Sequence, residues 1–82
     1  MTSTEILRNK GRLADNVMKA AKLKLTIEGL VKSMRENLDP FEKPDELPLD
    51  IVVEQAFEIR NQQIELIALN YEIEALKKAL GR

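Results

Sequence analysis

Asp39-Pro40-Phe41-Glu42-Lys43-Pro44-Asp45-Glu46-Leu47-Pro48 contains all three prolines of the chain. Proline lacks a backbone N–H, clashes with the preceding turn, and disfavours helical backbone in the residue before it. No helix continues through such a segment. On each side lies a proline-free run rich in helix formers. The β-branched cluster Ile51-Val52-Val53 is too short to compete as a strand. The pattern therefore predicts one all-α domain of 82 residues: a helix over residues 3–37, a loop over 38–49 and a helix over 50–80. At 1.5 Å per residue each helix is about 45–52 Å long.

The ends carry matching signals. Thr2 and Glu5 have the spacing of a capping box. Pro48 or Asp50 opens the second helix, as a first-turn proline or an N-cap. Lys77 and Lys78 suit the negative end of a helix dipole, and Gly81 provides a stop. Gly11 and Gly29 each cost about 1 kcal/mol against alanine inside the first helix.

Spacings of four and three give an intrahairpin seam. On the first helix it includes Leu13, Val17, Ala20, Lys24, Ile27, Val31 and Met34. On the second it includes Val52, Ala56, Ile59, Gln63, Leu66, Asn70 and Ile73. Facing residues of an antiparallel pair have a nearly constant number sum. Leu13 with Ile73, Ala20 with Leu66, Ile27 with Ile59 and Val31 with Ala56 all add to 86 or 87. Such spacing is that of coiled-coil packing, with Lys24 opposite Gln63 as a polar layer that fixes register.

One residue further round each helix lies a second row. Leu7, Ala14, Met18, Ala21 and Leu25 come from the first helix, and Val53, Phe57, Arg60, Ile64, Ile67 and Tyr71 from the second. This flank is mostly apolar, whereas the opposite flank is mostly polar with a few leucines. A face of that kind marks an interaction surface. A second copy across a two-fold axis would cover it, giving a homodimeric four-helix bundle, although another protein of matching shape would also satisfy the physics. Arg60 and Glu28 are placed to pair within it.

Composition removes many functions. Cysteine and histidine are both absent, which excludes disulfides, zinc fingers and histidine- or cysteine-based catalysis. Three isolated glycines form no phosphate cradle. No apolar run approaches the ~20 residues that span a bilayer, and none near the start suits a signal peptide. The expected setting is the cytoplasm, without membrane partners or cofactors. Arg8, Arg12 and Lys19 do not reproduce the cation pattern with which helical chorismate mutases hold a dicarboxylate, so no enzyme is expected. Residues 1–37 carry eight basic and four acidic side chains, and residues 38–82 five basic and ten acidic. The basic first helix offers a nucleic-acid-binding alternative. It has neither an arginine cluster nor interleaved aromatics, and its acidic partner helix neutralises it.

Phe41, Leu47 and Leu49 have two readings. They fold over the bundle end as a cap, which is favoured here, or form a docking element for another protein. The segment ENLDPFEKPDELPLD, between a basic amphipathic helix and a helix ending EIEALKKALG, resembles small uncharacterised helical-hairpin proteins carried by Mu-like prophages. That resemblance implies a phage or prophage origin and a helical hairpin, with no active site to carry over.

Overall fold

A computed structural model describes residues 2–82. Two helices, α1 (Ser3–Asn37) and α2 (Leu49–Ala79), flank a loop with one short 3-10 turn at Pro44–Glu46. They pack antiparallel along their length as an all-α hairpin measuring 63 × 14 × 14 Å between Cα atoms.

Local chemistry sets each boundary. Thr2 is extended, and its Oγ1 accepts from the Glu5 N–H at 3.2 Å, satisfying one of the unpaired donors of the first turn. α1 continues through Gly11 and Gly29. Asp39 then turns the chain: its carboxylate accepts from the Phe41 N–H at 2.9 Å and its carbonyl from the Glu42 N–H at 3.1 Å. Asp first and Pro second suit this turn. Pro48 caps α2 through its carbonyl, which accepts from the Val52 N–H. At the other end Gly81 has φ 73°, the Gly81 N–H donates to the Lys78 carbonyl, and the Arg82 N–H donates to the Lys77 carbonyl. That pair is a Schellman closure, and it requires the left-handed residue that glycine supplies.

The seam is rotated by one row from the expected one. Leu13, Ala20, Ile27, Met34, Val52, Ile59, Leu66 and Ile73 lie in it, and Val31 is half-buried. Val17, Lys24, Ala56, Gln63 and Asn70 do not: all five are exposed. Their places are taken by Asn16, Leu23 and Leu30 of α1 and by Gln55, Gln62, Leu69 and Leu76 of α2, which are buried or half-buried. The physical reason is the choice of second row. The occupied one buries Leu76, half-buries Leu23, Leu30 and Leu69, and leaves the Lys24 ammonium in water. The expected one would have buried valines and an alanine beside that charge.

The core is concentrated toward the open end of the hairpin. Leu13, Ala20, Ile73 and Leu76 form a buried cluster, with Leu66 and Leu80 packed against it. Near the loop the seam is polar. Gln55 Nε2 donates to Ser33 Oγ at 2.8 Å, and Asn37 Nδ2 donates to Gln55 Oε1 at 3.1 Å. These hydrogen bonds cross between the helices and hold their register.

Candidate functional site

Rotation of the seam toward the leucine flank leaves the other flank open. All eleven residues expected on the interaction face are exposed: Leu7, Ala14, Met18, Ala21 and Leu25 of α1, and Val53, Phe57, Arg60, Ile64, Ile67 and Tyr71 of α2. Leu25 is 70% exposed and Tyr71 76%. Val17 and Ala56, displaced from the seam, join them. The uncovered face is therefore wider than the sequence suggested, because the rotation of the seam turns a further row outward.

The face has relief. A groove of about 380 Å³ runs between the helices over Val17, Ala20, Ala21, Asn70 and Ile73, with Lys24, Glu74 and Lys77 at its rim. Val53, Ala56, Phe57 and Arg60 frame a second depression of about 270 Å³. Ile67, Asn70, Tyr71 and Glu74 frame a third of about 290 Å³. Protruding aromatics beside hollows of this size suit interdigitation with another helical surface.

The expected pair of Arg60 with Glu28 does not form: both are exposed, and neither is bound to the other among the described residues. The ion pair that crosses between the helices lies instead on the leucine side. Arg12 Nη2 donates to Glu72 Oε1 at 2.7 Å. This hydrogen bond, followed by the nearby Asn16 amide, holds the Glu72 carboxyl below its ordinary value. Asn16 itself is buried, and its Nδ2 has no partner within hydrogen-bond distance. Lys77 and Glu74 make a weaker contact of 3.7 Å one turn apart.

At the turn, Phe41 is 95% exposed. It does not fold over the hairpin end, which corrects the cap reading. The Asp39 turn fixes the backbone at Phe41 and directs the ring outward, while Leu47 is half-buried and Leu49 exposed.

The total accessible surface is 6423 Å². A compact monomer of 9.4 kDa would expose about 5,000 Å². The excess follows from a two-helix rod with one uncovered side. Among the described residues no acidic cluster could hold a metal ion, and no helix is long and apolar enough to cross a membrane. No protein-family model, curated protein or solved structure matches the chain.

Proposed function

We propose that the chain is a non-enzymatic interaction protein and that a second copy covers its apolar face, making a four-helix homodimer. The observation that carries this reading is the continuous exposed row from Leu7 to Leu25 on α1 and from Val53 to Tyr71 on α2. Full burial of one such large side chain is worth roughly 1.5–3 kcal/mol. Several on each of two chains outweigh an association cost of about 4–15 kcal/mol. A standard interface takes about 800 Å² from each partner, well within the excess surface of the rod. The face runs along both helices, so a two-fold axis can pair it with itself and close the assembly.

Within this proposal the protein works in the cytoplasm as an assembly module, and the resemblance of its sequence to small helical-hairpin proteins of Mu-like prophages supports a phage or prophage origin. Sedimentation velocity tests the central claim. The expected particle has twice the 9.4 kDa chain mass, with a melting temperature that rises with protein concentration. A 9.4 kDa particle whose cooperative melt is independent of concentration would refute it.

A further inference from the structure

Apolar burial does not determine which way round two such hairpins lie. A dyad along the rod puts the two turns together, and a dyad across it puts each turn beside the other copy's open end. Charge distinguishes the two arrangements.

The rod divides at Ala20 and Leu66, which share the core cluster. The open half, residues 2–20 and 67–82, holds seven basic and four acidic side chains, for +3. The turn half, residues 21–66, holds six basic and ten acidic, for −4. The contrast sharpens at the extremes. Asp39, Glu42, Asp45 and Glu46 crowd the turn, whereas Arg8, Lys10, Lys78 and Arg82 lie exposed at the open end. The helix dipoles do not offset this, because α1 begins and α2 ends at the open end and their terminal charges oppose. Helices packed face to face lie about 8–10 Å apart. That is close to the Debye length of about 8 Å at physiological salt, so facing charges are only partly screened.

We infer that the two copies lie antiparallel, with the acidic turn of each against the basic open end of the other. This rests on the homodimer reading and adds its direction. The chain has no cysteine, so single cysteines introduced at exposed positions off the face carry spin labels cleanly. Glu5→Cys, exposed on the polar flank, labels the open end and Lys43→Cys the turn. Pulsed dipolar spectroscopy on each dimer should give a spin–spin distance of about 50 Å or more, the length of α1 at 1.5 Å per residue. Distances within about 25 Å at both sites, two interhelical spacings plus the label arms, would overturn the antiparallel arrangement and leave the homodimer standing. A sample with no dipolar modulation and a single-chain mass would overturn the homodimer reading itself. The two sites lie at opposite ends of the rod, so a local defect at one leaves the other informative.

Discussion

Leu25→Glu, set against Thr26→Glu, separates assembly from folding. The two positions are adjacent on α1 and both are exposed in the single hairpin. Leu25 is 70% exposed on the apolar face, whereas Thr26 is on the far flank, where its hydroxyl donates to the Lys22 carbonyl. In an isolated hairpin either glutamate sits in water and changes stability by no more than about 0.5 kcal/mol. In a face-to-face dimer the glutamate at position 25 is buried without a partner, at a cost of about 3 kcal/mol. Two-fold symmetry applies that cost twice. About 6 kcal/mol per dimer corresponds to a rise of roughly 10⁴-fold in the dissociation constant. Sedimentation velocity at matched concentration should show Leu25→Glu as a single chain and Thr26→Glu as wild-type, with far-ultraviolet dichroism reporting the helix content of both. If the two variants sediment alike, the interface is not on this face and the reasoning from exposure to assembly fails.

The rotated seam and the Arg12–Glu72 pair make two further predictions. Leu76→Ala should lower the free energy of unfolding by about 2–5 kcal/mol in denaturant titrations, while Gln63→Ala stays within about 0.5 kcal/mol; the reverse ranking would restore the seam expected from the sequence. The Glu72 carboxyl lies below its ordinary 4.5 in the folded chain, first because of the Arg12 hydrogen bond. Its stabilising contribution is therefore present above that ordinary value and lost as pH falls through the lower folded one. Arg12→Ala should flatten this acid limb of the stability profile, and an unchanged limb in Arg12→Ala would count against the pair.

The hairpin itself was legible because its signals are local and strong. Pro40, Pro44 and Pro48 dictate the break, and Thr2 and Gly81 act through the backbone groups at the two ends. The rotation of the seam was not legible, for a geometric reason. The row containing Leu13, Ala20 and Ile27 belongs to both candidate stripes. Its second member could be the row of Val17, Lys24 and Val31, or the row of Asn16, Leu23 and Leu30. Paired with Asn70, Gln63 and Ala56, the first gives a constant number sum. Paired with Leu69, Gln62 and Gln55, the second does too. The pairing rule fixes how far one helix slides along the other and says nothing about how each is turned on its axis. The signal that selects the turn was present in Leu23, Leu30, Leu69 and Leu76, four leucines on the flank otherwise read as polar. The interaction face was legible because its residues stand outside the seam under either rotation. The outward ring of Phe41 was not, since both a cap and an exposed turn agree with its sequence.

The uneven seam has a consequence for where the molecule opens. Val52 is the one buried apolar residue in the turn half among the described residues, and the Gln55–Ser33–Asn37 hydrogen bonds are only part-buried, so water competes for them. Closing the longer segment from Leu13 to Leu76 rather than the shorter one from Asn37 to Gln55 costs only about 1 kcal/mol more in chain entropy. The cluster at the open end gives back more than that through burial. Sub-global opening of the hairpin thus starts beside its covalent connection. The last amides to exchange lie around Leu13 and Ile73, reversing the usual order in which the ends of a chain loosen first.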